Sequence, residues 1–314
     1  LVSAFIAAGT LILGLATVIE PVMAWSVGLL NWILDATLRC LAWCHAVPGG
    51  SWVVGHPSGI WVLGYYGVLG TLLLGTRDRW PRNRLWLVAM TGLTLWLCGS
   101  VADRLLERRW LRVDILDVGH GDSILVRTPS GHALLVDGGT QAAGRSRVIP
   151  FLRHEGLRTL DAVVVTHPDE DHLGGVLPVI QQVRVKRLLT NGAVDDTMAF
   201  RELQDAVRRR GIPHETVQAG MSLEGLSGIH IEVLHPPRGF VPGTVGSSND
   251  NSVVLKLTKG LVSILLTGDL EEEGLPWLLA SGESLRAAVL KVPHHGSRLG
   301  ATGARFFETV HPRV

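Results

Sequence analysis

Cysteine is scarce in this chain of 314 residues, and the few that occur exclude a disulfide scaffold. All three, Cys40, Cys44 and Cys98, fall in the oily N-terminal part, where we interpret them as packing residues. No Met opens the chain, and its first residues lack the basic region and the small-residue cleavage site of a secretory signal. We therefore expect a piece of a larger membrane protein.

Charge is also scarce in the first third of the chain. Residues 1–101 carry only eight charged side chains, whereas residues 113–314 carry 20 Lys and Arg, 23 Asp and Glu, and 11 of the 13 histidines. This contrast predicts membrane helices over 1–109 and a water-soluble domain over 110–314. The net charge of −3 in residues 113–314 excludes an overall positive potential that would attract a polyanion such as DNA. Binding of a polyanion must therefore depend on a local basic patch or on a bound metal ion.

Three apolar segments approach the ~20 residues that a membrane-spanning helix needs. They are 1–19, 60–75 and 85–101. The connector TRDRWPRN, together with Arg84, concentrates arginine between the last two segments and predicts a cytoplasmic loop, which would deliver the C-terminal domain to the extracytoplasmic side. A second basic cluster at 104–112 argues against this orientation.

The sequence of residues 22–44 predicts a helix with a polar face, unlike the three apolar segments. Asn31, Asp35 and Arg39 recur every four residues, so they lie on one helical face, where Asp35 and Arg39 can form an ion pair. We favour an interfacial helix rimmed by tryptophans over a helix that lines a transport path.

From Leu111 onward the chain alternates short β-branched runs with helical stretches. These patterns predict strands at 111–118, 123–128, 132–137, 163–166, 187–190, 229–234, 252–258, 261–267 and 287–292. They predict helices near 146–155, 174–183, 197–210 and 270–280. This order of elements suggests sheets packed face to face with helices outside.

Ligand-type side chains are concentrated where strands end. His167, Asp169, Asp171 and His172 directly follow the apolar strand VVVT, which favours a metal site over a solvated acidic turn. Two similar strand ends follow later in the chain. Asp269 ends one strand, although a lone aspartate there is also a good helix N-cap, and the pair His294 and His295 ends another.

Five ordered motifs resemble a known family. They are DVGHGDSILVRTPSGHALLVDGG at 117–139, THPDEDHLGG at 166–175, NDNSVVL at 249–255, LLTGDL at 265–270 and LKVPHHGS at 290–297. Together they resemble the C-terminal part of the ComEC competence family, whose domain belongs to the metallo-β-lactamase superfamily. The resemblance implies transmembrane α-helices followed by an α/β domain, an αββα sandwich with a two-metal centre between its sheets.

The resemblance also implies a function and a location. It indicates a multi-pass protein of the bacterial inner membrane that takes part in DNA uptake during natural transformation. The membrane part would form a channel component and work with other uptake machinery, and the nuclease domain would degrade the non-imported strand. Two alternatives stay open: a membrane-anchored binuclear hydrolase of another ester, and a non-catalytic DNA-binding module on a channel.

The resemblance suggests how the ligands divide between two divalent ions. We expect His167 and Asp169 on one ion, Asp171, His172 and His294 on the other, and Asp269 as the bridge, with Asp171 and Asp269 as the catalytic residues. His295 is the substitute or outer partner of His294. The oxygen-rich set favours manganese, with zinc possible. Further residues are expected to orient ligands or contact substrate: Asp122, Asp137, Asn251, Ser252, His295 and Ser297.

Some positions depart from the family pattern. Asp169 replaces a histidine of the general superfamily signature, and His120 stands where the family usually has glutamine. An expected strand-end histidine has no clear counterpart, with His214, His230 and His235 as alternatives, and a C-terminal piece of the site is expected beyond Val314.

Basic residues offer a possible contact for DNA. The two clusters are Arg184, Lys186 and Arg187, and Arg208–Arg210. Either cluster could guide a phosphate backbone. For the second cluster, the simpler interpretation is a solvated helix face. Aromatic residues do not alternate with basic ones in the domain, which favours sequence-independent contact with a single DNA strand.

Overall fold

A computed structural model describes residues 20–46, 59–77, 81–107, 110–241 and 248–314. The chain divides into two compact units, Leu1–Val53 and Val54–Val314. The boundary expected after residue 109 stays a prediction.

Among the described residues, three helices come before the first strand in the sequence. They are α1 (Glu20–Ala46), α2 (Gly59–Arg77) and α3 (Arg82–Glu107). The ion pair predicted on α1 is confirmed, because Arg39 Nη2 lies 2.6 Å from Asp35 Oδ2. Helices α2 and α3 contain two of the predicted spans, and the span predicted at 1–19 lies outside the described residues. None of the helices described is both long and apolar enough to cross a membrane, so the membrane segments stay a prediction.

The described residues from Arg112 onward fold as an α/β domain with two main sheets. The first has the order β1 (Arg112–Ile115), β2 (Ile124–Arg127), β3 (Ala133–Val136), β5 (Ala162–Val165), β7 (Leu188–Thr190) and β8 (His214–Thr216). The second has the order β12 (Val289–Lys291), β11 (Val262–Leu266), β10 (Val254–Lys259) and β9 (His230–His235). A small pair joins β4 (Thr159–Leu160) to β6 (Arg184–Val185).

Helices accompany both sheets. Helix α4 is a continuous helical stretch of Gln141–Ala143, the π-helical Gly144–Val148 and Ile149–His154. The others are α5 (Glu170–Leu173), α6 (Val176–Gln182), α7 (Met198–Arg210), α8 (Leu275–Ala280) and α9 (Gly300–Val310). The helix predicted at 270–280 begins only at Leu275, with Gly274 as its N-cap, so Asp269 is not the cap of that helix.

The strands alternate between two buried faces, which explains why the sheets stack. In β3, Leu134 and Val136 belong to a core shared with Leu255 and Leu257 of β10, whereas Leu135 faces the opposite core. Helices α4, α6 and α7 complete the core on the outer face of the first sheet, and α8 and α9 complete the core on the outer face of the second. The result is the expected αββα layering.

One end of this sandwich collects the ligand-type residues. Strands β3 and β5 are parallel in the first sheet, and β11 and β12 are parallel in the second. The segments that follow these four strands carry Asp137, His167, Asp269 and His295. The backbone N–H of Val253 donates to the Thr166 carbonyl, 3.0 Å away, and so joins the two sheets beside the site.

Candidate metal centre

His167 follows β5 and is buried, with 1% of its surface exposed. Its Nδ1 lies 2.9 Å from Thr166 Oγ1, which itself donates to Asp137 Oδ2 at 2.8 Å. Because the Thr166 hydroxyl proton is committed to Asp137, the hydroxyl accepts from Nδ1–H of His167, which leaves Nε2 unprotonated. Burial, followed by the charge of His172, lowers the pKa of His167 to about 3, so this imidazole is neutral and able to bind a metal.

His172 is wholly buried on the short helix α5. Its Nδ1 lies 2.9 Å from Asp137 Oδ2, and its Nε2 has no hydrogen-bond partner among the described residues. Burial lowers the pKa of His172, but the negative charges of Asp137 and Asp269 outweigh it and raise this pKa to about 10. A buried imidazole nitrogen without a hydrogen bond, facing carboxylates, has the environment of a metal ligand.

Asp137 sets the orientation of both histidines. Its Oδ1 accepts from the Thr166 backbone N–H at 2.8 Å, while its Oδ2 accepts from the Thr166 hydroxyl and faces His172 Nδ1. The residue is buried and has a φ of 58°, a left-handed conformation that is strained for a residue other than glycine. Asp137 therefore orients His172 directly and His167 through the Thr166 hydroxyl.

Asp269 follows β11 and divides its two carboxylate oxygens between different neighbours. Its Oδ2 lies 3.1 Å from His295 Nε2, 3.3 Å from His172 Nε2 and 3.9 Å from His294 Nε2. Burial raises the pKa of Asp269, but the nearby positive charges of His172 and Lys291 outweigh it, so this pKa is lowered. The backbone N–H of Asp269 donates to Ser252 Oγ, which also lies 3.3 Å from His167 Nδ1.

Asp169 and Asp171 each approach one imidazole of this cluster but differ in exposure, with 40% and 21% of their side chains exposed. Asp171 Oδ2 lies 3.8 Å from His172 Nε2 and 3.3 Å from the exposed His120 Nε2. Asp169 Oδ2 lies 3.7 Å from His167 Nε2, and its Oδ1 accepts from Ser248 Oγ at 2.6 Å. Asp169 is thus beside His167, at the rim of the site.

The two histidines after β12 point to different partners. Both have left-handed backbone conformations, with φ of 42° at His294 and 51° at His295. His295 Nε2 faces Asp269, whereas His294 Nδ1 lies 2.6 Å from Glu271 Oε1. His295 is therefore the imidazole nearer to the buried cluster.

The described part of the chain contains four overlapping groups of three candidate ligand residues. Within each group, the ligand atoms lie within 4.8 Å of one another. The groups are His167, His172 and Asp269; Asp171, His172 and His295; Asp122, Asp137 and His172; and Asp122, Asp269 and His295. Asp169 and His294 belong to none of these groups. The unpartnered Nε2 of His172 together with these oxygen and nitrogen donors fits a divalent metal ion.

The remaining expected site residues take supporting positions. The Asn251 side chain is buried and accepts from the Val241 backbone N–H, so it holds a loop. Ser252 links His167 to Asp269, and Ser297 is exposed. Asp122 lies opposite Lys291, a residue not anticipated from the sequence, because a lysine in a short strand ordinarily faces solvent.

The three alternative histidines are held elsewhere. His214 Nε2 lies 2.9 Å from Thr190 Oγ1, and His230 Nε2 lies 3.2 Å from Glu232 Oε1. His235 is buried, and its Nδ1 contacts the Ser252 carbonyl at 2.9 Å. None of the three appears in a candidate ligand group among the described residues.

The first basic cluster lies at the opposite end of the first sheet. Lys186 Nζ lies 2.6 Å from Asp161 Oδ1, and Asp161 comes just before β5, whereas His167 comes just after it. Arg187 donates to the Glu224 carbonyl. In the second cluster, Arg208 pairs with Asp205 and Arg210 donates to the Gln181 carbonyl. The first cluster is therefore separated from the ligand cluster by the length of β5.

Comparisons with known proteins agree with this architecture. A sequence profile described as "Metallo-beta-lactamase superfamily" matches residues 116–306. "ComE operon protein 3" of Bacillus subtilis (strain 168) is 35% identical over 219 residues, covering 64% of this chain and 27% of that protein. "Competence protein ComA" of Neisseria gonorrhoeae is 33% identical over 202 residues, covering 64% of this chain and 26% of that protein.

The chain spans about a quarter of the length of these two relatives, and they confirm the resemblance to the ComEC family. A solved structure, "Crystal Structure of Metallo-beta-Lactamase SMB-1 Bound to 2-mercaptoethanesulfonate", is 16% identical with a TM-score of 0.42. It covers 59% of this chain and 78% of that chain.

Proposed function

Because this chain belongs to the metallo-β-lactamase superfamily, we propose that its α/β domain is a metal-dependent nuclease that acts in DNA uptake. Superfamily membership implies a metal-dependent hydrolase in general, and the competence-named relatives support the role in DNA uptake. One observation carries the hydrolase part of the proposal. The buried Nε2 of His172 has no hydrogen-bond partner among the described residues and faces the carboxylates of Asp171 and Asp269.

We propose two divalent ions as cofactors. His167, Asp169 and Asp269 would hold one, and Asp171, His172, Asp269 and His295 would hold the other. When bound, such ions activate water and stabilise charge on the entering and leaving oxygens of a phosphodiester. The imidazoles of His167 and His172 would present their Nε2 atoms, because Thr166 holds Nδ1 of His167 and Asp137 holds Nδ1 of His172.

The identity of the ions follows from the ligand types. Asp169 takes the place of an imidazole, and Asp171 and Asp269 add further oxygen donors, so the set suits manganese better than zinc. Activity with zinc alone would remove this part of the proposal.

The proposed substrate is single-stranded DNA recognised through its backbone. Aromatic residues do not alternate with basic ones in residues 113–314, which supports recognition without base readout. We further propose a multi-pass protein of the bacterial inner membrane, with the domain on the extracytoplasmic side. The apolar N-terminal segments and the arginine-rich connector TRDRWPRN support this placement.

The test is cleavage of end-labelled single-stranded DNA by the purified full chain with Mn²⁺. We expect Asp171→Ala to reduce the rate at least ~100-fold, since even residues behind a ligand are commonly worth 10–100-fold in metal affinity or activity. Asp196→Ala is the matched control, because Asp196 is exposed and lies in none of the ligand groups. It should leave the rate unchanged.

Other outcomes would favour the alternatives. Cleavage of generic esters without cleavage of DNA would favour a hydrolase of another small ester, because one fold serves many substrates. Protein that binds DNA without cutting it under any divalent ion would favour a non-catalytic binding module.

A further inference from the structure

Lys291, the last residue of β12, enters the ligand cluster from the side of the second sheet. Its Nζ lies 2.5 Å from Asp122 Oδ2 and 3.2 Å from Asp269 Oδ1, and it donates to the Gly268 carbonyl at 2.8 Å. The side chain is 10% exposed. An ammonium group has three protons to donate, so these three acceptors use its full capacity.

Lys291 gives the two carboxylate oxygens of Asp269 different partners. Oδ1 contacts Lys291, whereas Oδ2 faces the imidazoles of His172 and His295. Asp269 therefore presents a single free oxygen to any ion that the histidines help to bind. This differs from a bridge in which each carboxylate oxygen binds its own ion.

Lys291 also bears on the choice among the four ligand groups. Two of them contain Asp122, and one of these two also contains Asp269. Both carboxylates already contact the Lys291 ammonium. A divalent cation at the same carboxylates would lie close to this fixed positive charge and be repelled by it.

We infer that Lys291 is a built-in cation that keeps divalent ions out of the groups containing Asp122 and leaves Oδ2 as the metal-binding oxygen of Asp269. Lys291 is thus a positioning residue, acting through Asp122 and Asp269. The inference rests on the proposed function only in that the cluster binds metal ions.

Counting bound ions tests this role without any substrate. The purified full chain is titrated with Mn²⁺, and bound ions are counted by elemental analysis and by the electron paramagnetic resonance spectrum. We expect Lys291→Met to bind one more ion than the wild type, because the Asp122, Asp269 and His295 group loses its resident cation. Adding Asp122→Asn to Lys291→Met should abolish the additional ion, and Lys291→Arg, which keeps the charge, should retain the wild-type count.

Lys186→Met is the matched control. Lys186 also pairs with a carboxylate, that of Asp161 at 2.6 Å, but at the opposite end of the first sheet. Its loss should leave the ion count unchanged. An unchanged count and spectrum in Lys291→Met would overturn the inference, and so would an additional ion that persists after Asp122→Asn.

A second measurement uses the wild type and does not depend on how well the variants fold. In a crystal structure grown with Mn²⁺, Lys291 Nζ should still contact Asp122 and Asp269 Oδ1, and an ion bonded to either oxygen of Asp122 would refute the inference. If the wild type and the variants bind the expected numbers of ions but the wild type does not cleave DNA, the proposed function is overturned and the role inferred for Lys291 is not.

Discussion

Metal binding to this protein should release a proton from His172. The charges of Asp137 and Asp269 raise the pKa of this buried imidazole to about 10, so it is protonated at neutral pH in the metal-free protein. An ion that binds at Nε2 must displace that proton. Each unit between pKa and pH costs ~1.4 kcal/mol, so the displacement costs about 4 kcal/mol at pH 7.

The sign of the pH dependence follows from the raised pKa. Proton competition weakens as the pH rises toward 10, so the apparent metal affinity should increase ~10-fold per unit between about pH 6.5 and 8.5. Isothermal titration calorimetry at pH 8, in buffers of different ionisation enthalpy, should report the release of about one proton per ion that binds at His172.

Asp137→Asn is the matched variant for this experiment. Of the groups that raise the pKa of His172, the charge of Asp137 contributes most, and the amide oxygen can still accept from Nδ1–H. The number of protons released should therefore fall well below that of the wild type. Proton release near zero in the wild type, or a flat pH dependence, would refute the reasoning.

Three further predictions test the site and the core. His295→Ala should weaken metal binding by ~10–100-fold while His294→Ala has a much smaller effect, because His295 Nε2 is the nearer nitrogen to Asp269 Oδ2; a metal titration with the reverse order would contradict the assignment. Gly175→Ala should lower the free energy of unfolding by ~1–3 kcal/mol or more and weaken metal binding, since a Cβ there would lie 1.8 Å from the Gly138 carbonyl oxygen; urea denaturation measures the loss, and wild-type stability would contradict the close approach. Phe306→Ala should cost ~3–5 kcal/mol in the same assay, because this ring is fully buried beneath the second sheet; a loss below ~1 kcal/mol would show that α9 contributes little to the core.

The main strands could be predicted because their residues form continuous apolar runs. Strand β5 is buried on both faces, so its sequence, AVVV, is wholly apolar and easily recognised. The very short strands β4 and β6 and the polar β8 were missed, because two or three residues carry no usable periodicity. Helix α9 was also missed, although it buries Phe306 and Val310.

The convergence of the ligand-type residues could be predicted because parallel strands bring their ends to one edge of each sheet. What the sequence could not separate is His294 from His295, since both residues take left-handed conformations and their directions depend on the local turn. Lys291 was missed for a different reason. Its role depends on contacts with Asp122 and Gly268, which lie far from it in sequence.

The candidate ligands come from different layers of the sandwich, with His167 following β5 of the first sheet, His172 on the adjacent helix α5, and Asp269 and His295 following strands of the second sheet. An ion bonded to residues of both layers would cross-link the two sheets. Binding of the ion would then stabilise the folded domain, and loss of the ion would weaken the packing between the sheets. The same ion would thereby contribute both to the stability of the domain and to its catalytic activity.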